Sequence, residues 1–467
     1  MEETYIRQLL AANNICVTEG LQQLFADFVT DPANKNLVNQ ILENQKRLMD
    51  QWALKIRLAD LDMQEIVFPN ATVGKPYEYR LDMAALQWED IALLTIDGLD
   101  TTGLTYDPAT KVVSGIPVIS GDMRLALKYR LKKEAEDVPP HEKKIRLVVN
   151  PDPRSLWKNV PSDTTDPFWK ADVACMQESL GAKQVVAASK RGRSHANNGG
   201  FREDDYLVKH WAETGWSLLA VSDGAGSAQY SREGSRLACT FIASYFDECM
   251  TAEWLATADR LIKTYNNNSQ DKATKALNSF IYETLGNGVL QTHKKIEETA
   301  TRLNASLNDF HATLAFVLLK QYDFGYAIMS FSVGDGPVGL LDEKEKSVTL
   351  LNWLDVGEYG GGTRFITMPE IFSSGQFSSR FNFILVPGFS HLILMTDGIY
   401  DPKFEVEANL TRWSAWQRLI ADLAGENEGR QKVTLERTAV GTEQELAAWL
   451  DFWSVGNHDD RTLMIVY

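Results

Sequence analysis

In the last three hundred residues, apolar strands repeatedly end in Asp-Gly or begin just after acids. Glu203-Asp204 precede Asp205-Tyr-Leu-Val208, and Trp216-Ser-Leu-Leu-Ala-Val221 runs into Asp223-Gly224. A hairpin turning near Gly215 sets the start of the first strand beside the end of the second. Thr313–Leu319 turns near Asp323-Phe-Gly325 and returns as Tyr326–Phe331, ending at Gly334-Asp335-Gly336. His311 and Asp335 then share an edge. His391–Met395 ends at Asp397-Gly398, and Asp459-Asp460 precede the last strand, Thr462–Val466.

Asp-Gly alone is a good turn dipeptide, and Asp97-Gly98 is read that way. Several strand-end carboxylates at one sheet edge are a different matter. They repel one another unless cations sit among them. Oxygen donors without a His or Cys cluster favour hard cations, Mg2+ or Mn2+, over zinc. A glycine after the acid lets the backbone approach such an ion.

These segments resemble the metal-dependent protein phosphatases of the serine/threonine type 2C class, in the bacterial branch that carries Asp-Gly-Ala-Gly-Ser-Ala. The matching pieces stand in family order: Ser194-His195, Arg202-Glu-Asp204, Val221-Ser-Asp-Gly-Ala-Gly-Ser-Ala228 and His311-Ala-Thr-Leu314. Val333-Gly-Asp-Gly336, Gly357–Thr367, Met395-Thr-Asp-Gly-Ile399 and Asp459-Asp-Arg-Thr462 follow. The resemblance covers the chain from about residue 170 to its end. It implies that Asp223 bridges two metal ions and that Gly224 ligates one through its carbonyl. Glu203 and Asp204 would hold metal-bound waters, Asp397 and Asp459 would ligate the second ion, and Asp335 would help bind a weaker third. Asp223, Asp397 and Asp459 are thus the implied catalytic acids. Asp460 stands where the family often has Asn and is set behind the ligands. The implied reaction is in-line attack on phosphorus by a water bridging the two ions, without a phospho-enzyme.

Two positions depart from the family. Ala225 stands where a histidine often protonates the leaving alkoxide, so the general acid is unassigned. The arginine that grips phosphate in many members aligns with Gly199. His195, Arg202, Arg191 and Arg193 are the candidates to replace it, with His195 first because Ser-His recurs in this branch. His311 reads as a structural hydrogen-bonding residue. Residues 351–383, rich in Gly and Ser, lie where the family has a flap beside the active site. Gly360-Gly361-Gly362 lacks the Gly-Lys-Ser/Thr ending of a phosphate loop. The stripes Leu237, Phe241, Ile242, Tyr245, Phe246 and Ala273, Leu277, Phe280, Ile281 are core faces of helices. The fold class is α+β: a four-layer α/β/β/α sandwich over 165–467, as the resemblance implies, preceded by two other segments.

The first of these, residues 1–60, has helical spacing in Ile6, Leu9, Leu10 and in Leu21, Leu24, Phe25, Phe28. Asp31-Pro32 breaks it, and Leu37, Ile41, Leu48, Trp52, Leu54, Leu58 resume it. The second, 61–150, alternates short strands with Gly, Pro and Asp turns, the texture of a β-sandwich. Ala71–Tyr77 and Gly103–Pro117 resemble the immunoglobulin-like domains of bacterial multidomain proteins, which implies an interaction or spacer module. Asn150-Pro-Asp-Pro153 is the linker to the third segment.

With 63 acidic against 47 basic side chains, the chain carries a net charge of −16. That argues against nucleic-acid or anionic-membrane partners. Four widely spaced cysteines offer no zinc pattern. No run approaches the ~18 apolar residues of a membrane helix, and Met-Glu-Glu-Thr is no signal peptide. The expectation is a cytoplasmic Mg2+- or Mn2+-dependent phosphatase of phosphoserine and phosphothreonine. Its partner would be a phosphoprotein such as a kinase or regulator encoded nearby, in bacterial signalling. The rival readings are a catalytically inactive metal-binding pseudophosphatase, serving as an interaction module, and a small-molecule phosphatase.

Overall fold

The computed structural model describes residues 2–267, 271–355, 362–373 and 375–467. The chain divides into two compact units, Met1–Leu156 and Trp157–Tyr467.

In the first unit the helical spacing becomes α1 (Glu2–Ala12), α2 (Gln22–Thr30) and α3 (Pro32–Met63). The break at Asp31-Pro32 is a helix start: Asp31 caps α3 by accepting from Ala33 N at 2.7 Å, and Pro32 occupies its first turn. Ile6, Phe25, Val29 and Val38 form a small cluster among the three helices. The far end of α3 serves a different core. It continues past residue 60, and Leu61 is fully buried with residues of the strands that follow.

Those strands are β1 (Ala71–Thr72), β2 (Tyr77–Arg80), β3 (Ile91–Asp97), β4 (Leu104–Asp107), β5 (Val112–Gly115), β6 (Gly121–Leu131) and β7 (His141–Asn150). They form a four-stranded sheet, β1-β7-β6-β3, and a three-stranded sheet, β2-β5-β4. Alternation along β6 and β7 buries Leu125, Leu127, Ile145 and Leu147 with Trp88, Leu94 and Val113 in one cluster.

The second unit opens with β8 (Val173–Leu180), β9 (Lys183–Lys190), α4 (Arg193–Asn198), β10 (Asp205–Trp211) and β11 (Trp216–Ser222). Three helices follow, α5 (Ser231–Cys249), α6 (Ala252–Asn267) and α7 (Asp271–Arg302). Then come β12 (Leu314–Tyr322), β13 (Gly325–Val333), β14 (Val338–Asp342), β15 (Ser347–Leu350), α8 (Glu370–Ser373), β16 (Phe381–Val386) and β17 (His391–Met395). The last elements are α9 (Asp397–Phe404), α10 (Trp413–Leu423), α11 (Thr442–Trp449) and β18 (Arg461–Val466). The strands form two antiparallel sheets, β10-β11-β12-β13-β16 and β15-β14-β17-β18-β9-β8.

Side-chain alternation gives each sheet two apolar faces. Leu219 and Val221 of β11 share a cluster with Leu392 and Leu394 of β17 and Met464 and Val466 of β18. Leu218 and Ala220 point the other way, into a cluster with Leu237, Ile242, Phe246, Leu277 and Ile281 of α5 and α7. Leu463 and Ile465 of β18 pack with Ile399, Trp416 and Leu446 of α9, α10 and α11. The two expected helical stripes supply core side chains, although Phe241 and Phe280 are only partly buried.

Candidate acidic site at the strand ends

Register decides which acids meet. Asp205 pairs with Ser222, so Glu203-Asp204 and Asp223-Gly224 leave β10 and β11 at the same edge. Leu314 pairs with Val333, which brings Asp335 to that end, and an isolated bridge joins Gly224 to Ala312. In the other sheet Val338 pairs with Leu394 and Met395 with Leu463, so Asp335, Asp397 and Asp459-Asp460 lie at neighbouring strand ends. Carboxylate oxygens of Asp223, Asp335 and Asp397 lie within 4.8 Å of one another. A second group of the same tightness joins His195, Asp459 and Asp460.

The glycines after the acids answer to backbone crowding. A Cβ on Gly224 would come 2.8 Å from the carbonyl oxygens of Glu203 and Ser231. A Cβ on Gly398 would overlap the carbonyl oxygen of Asp460. Both dipeptides sit where two strand ends cross too closely for a side chain.

Hydrogen bonds fix some of these acids and leave others unpartnered. Asp204 Oδ2 accepts from Thr396 Oγ1 at 2.8 Å and Thr462 Oγ1 at 2.7 Å. Asp204 Oδ1, Glu203 Oε2 and Asp397 Oδ1 are buried without a hydrogen-bond partner. Asp335 Oδ2 accepts from Thr363 Oγ1 at 2.7 Å. Asp460 is saturated: Oδ1 accepts from Gly192 N at 2.5 Å and faces His195 Nδ1 at 3.0 Å, while Oδ2 accepts from Glu203 N and Asp204 N.

Proton affinities follow this division. Burial, reinforced by neighbouring carboxylates, holds Asp223 and Asp397 well above the ordinary carboxylate range. Burial pushes Glu203 and Asp204 up to about 7 and raises Asp335 and Asp459. Asp460 goes the other way. Burial opposes its charge, but His195 and the backbone N–H groups of Gly192 and Glu203 outweigh that. His195 is likewise disfavoured as a cation by burial, yet Asp460 lifts it to about 9.

An all-oxygen set of half-buried, mutually repelling carboxylates (Asp459 is exposed) beside orphaned buried oxygens fits hard divalent cations. Asp223, Asp397, Asp459 and Asp335, with the Gly224 carbonyl, are the groups that could hold them.

Among the arginine candidates none joins either group. Arg202 donates to Ala171 O, Ser189 Oγ and Asp204 O. Arg191 donates to Gly200 O, Asn159 Oδ1 and Val160 O. Arg193 holds Asp451 and Phe452 O. His195 alone of the four shares a cluster with Asp459. His311 Nδ1 meets Thr367 Oγ1 at 2.6 Å and its ring stacks on Phe365. The segment 356–361, with most of the Gly357–Thr367 motif start and Gly360-Gly361, lies outside the described residues.

Two residues went unread in the sequence. Asp401 follows Asp397 by one turn of α9, and Asn457 Nδ2 lies 3.4 Å from its Oδ2. The i, i+4 spacing was the available signal. Lys170 is buried beneath the acid pair, donating to Asp204 O at 2.8 Å, Glu203 O at 3.3 Å and Asp205 Oδ2 at 3.3 Å. No local motif marks it.

This is an α+β unit whose strand ends gather a cluster of carboxylates. The family model for protein phosphatase 2C matches residues 191–451, more than half of the chain, and the chain belongs to that family. Among solved structures it is similar to a bacterial serine phosphatase, at 14% identity over 60% of this chain and 96% of that one, TM-score 0.35. It is similar to the serine/threonine phosphatase Stp1 from Staphylococcus aureus, at 14% identity over 64% and 97%, TM-score 0.34. The S. agalactiae serine/threonine phosphatase matches at 16% identity over 63% and 98%, TM-score 0.35. No curated protein sequence matches the chain. No helix among the described residues is long and apolar enough to cross a membrane.

Proposed function

We propose that the chain is a Mg2+- or Mn2+-dependent phosphoprotein phosphatase acting on phosphoserine and phosphothreonine. The observation that carries this is the convergence of Asp223, Asp335 and Asp397 within 4.8 Å, beside buried carboxylate oxygens that have no partner. In this reading Asp223, with the Gly224 carbonyl, would contribute to holding two cations, and Asp397 and Asp459 would help hold the second. Glu203 and Asp204 hold waters around them, and Asp335 contributes to a third position. Bound there, such cations lower the pKa of a water and screen phosphoryl charge.

The chain's own groups do the positioning. Asp204 is clamped by Thr396 and Thr462. Asp460 orients His195 through Nδ1 and leaves Nε2 for a phosphate oxygen. Ala225 brings no proton, so the leaving alkoxide takes one from solvent or another group. The two sheets of the second unit, with helices on their outer faces, support the four-layer α/β/β/α arrangement over 165–467; the proposed segments 1–60 and 61–150 share the first compact unit, joined by α3, which runs on to Met63. The paired sheets of 71–150 support an immunoglobulin-like spacer or interaction module. A cytoplasmic setting belongs to the same proposal; four free cysteines support it.

The test is release of phosphate from para-nitrophenyl phosphate and from a phosphothreonine peptide in Mn2+, Mg2+ or EDTA, with Asp223→Asn alongside. Metal-dependent release lost in the variant is expected. Folded protein without release in any metal overturns the enzyme reading. It leaves the inactive metal-binding module, a reading that Ala225 favours.

A further inference from the structure

The least satisfied apolar surface lies far along the sequence from the acid site. Among the described residues, twelve large apolar side chains stand exposed within the first 63 positions. A concentration of that kind on a soluble surface marks an interface. Its longest part runs along α3. Leu37, Ile41, Leu48, Met49, Trp52, Ile56 and Met63 are exposed there, with Leu48 at 66% and Trp52 at 60%; Met49 and Ile56 flank the stripe that the other five define. Gln45, Lys55 and Ala59 are exposed between those five. At 100° per residue these eight fall within an arc of about 80°, on a stripe about 39 Å long. The buried residues of α3, Val38 and Leu61, lie off this arc and serve other clusters.

The stripe reads the same from both ends. Counting outward from Asp50, Leu48 corresponds to Trp52, Gln45 to Lys55, Ile41 to Ala59 and Leu37 to Met63. Apolar positions map onto apolar ones, and the two polar positions map onto each other. Asp50 itself points away from this arc. Such a face is complementary to itself under a two-fold axis, which is what an isologous contact requires. Charge argues against the other broad occupant. The first 63 residues carry nine acidic and six basic side chains, a poor match for an anionic lipid surface.

We propose that α3 is the interface of an antiparallel homodimer, its two-fold axis passing near residue 50. Leu48 packs on the partner copy's Trp52 position, and the Gln45 amide meets the Lys55 position. This inference does not depend on how the acid site is read.

Sedimentation equilibrium of the full chain tests it, from about 0.1 to 100 µM. The mass should approach twice 52.4 kDa. Leu48→Glu should weaken association at least about 30-fold, as loss of a central apolar anchor does. Gln45→Lys sets two lysines together and should weaken it less, and Gln45→Lys with Lys55→Glu should restore it. A parallel pair would align like charges in that double variant and would not be restored, which overturns the proposed register. A wild-type chain monomeric at 100 µM overturns the dimer and assigns the stripe to another polypeptide or to lipid. A dimer indifferent to Leu48→Glu overturns the interface. All three variants are on exposed positions, and unchanged melting temperatures separate lost association from lost fold.

Discussion

His195 Nδ1 lies 3.0 Å from Oδ1 of Asp460, a fully buried carboxylate that also accepts from the backbone at Gly192, Glu203 and Asp204. One carboxylate therefore ties the histidine to the strand start that carries Glu203 and Asp204. The two residues should fail differently. Asp460→Asn turns an N–H toward backbone donors and should cost about 3 kcal/mol, seen as a melting point lower by roughly 6 °C or more. His195→Gln removes the ion pair with Asp460 but keeps a donor toward it, so it should lower the melting point less than Asp460→Asn does, and it should lower kcat/KM about 10- to 100-fold, the worth of a charge-assisted contact to phosphate. Unchanged kcat/KM in His195→Gln would remove His195 from the phosphate site.

Asp223 is half-buried among like charges, and desolvation with Asp397 beside it raises its proton affinity strongly. Asp223→Asn should lower turnover at least about 100-fold. In EDTA its melting temperature should match or exceed wild type by a few degrees, because one repelling charge is gone. Added Mn2+ should raise the wild-type melting point and leave the variant's nearly still. A variant that melts well below wild type in EDTA would show that Asp223 is needed for folding itself.

Gly398 abuts the Asp460 carbonyl, whereas nothing lies within 4 Å of where a Cβ on Gly388 would stand. Gly398→Ala should therefore cost about 3 kcal/mol or more through overpacking, and Gly388→Ala close to nothing. Thermal melts of the pair decide this. Equal melting points would mean the strand ends can separate freely.

His391 is mostly buried at the start of β17, near Lys183 and with the exposed Glu343 carboxylate 3.5 Å away. Burial, then the charge of Lys183, lowers it from 6.5 to about 4. The folded chain keeps it neutral where the unfolded chain protonates it. Its contribution is therefore whole above about pH 6.5 and is lost as pH falls toward 4. The loss amounts to as much as about 3 kcal/mol. The melting-point difference between wild type and His391→Gln should shrink or reverse between pH 7.5 and 5. A difference that stays constant with pH would contradict the burial of a neutral ring.

Much of the acid site was legible because antiparallel pairing is local. A hairpin turning near Gly215 joins Glu203-Asp204 to Asp223 whatever surrounds it, and the register bears this out. The same logic placed His311 and Asp335 at one edge. Two residues outside both the hairpins and the family motifs, Lys170 and Asp401, were not legible in the same way. Lys170 reaches the site from before β8, and Asp401 is marked only by its one-turn spacing from Asp397. The family pattern offered four cationic candidates near the gap at Gly199. Only the packed structure separates His195 from the three arginines, whose guanidiniums are engaged by carbonyl oxygens and acids nearby.

The sequence by itself determined the strands, their turns and the acids at their ends, because side-chain alternation and turn chemistry act over a few residues. Tertiary structure decided how the two sheets bring those ends together and which oxygens stay unpartnered. Those outcomes depend on segments hundreds of residues apart competing for the same neighbours, and no local spacing records who wins.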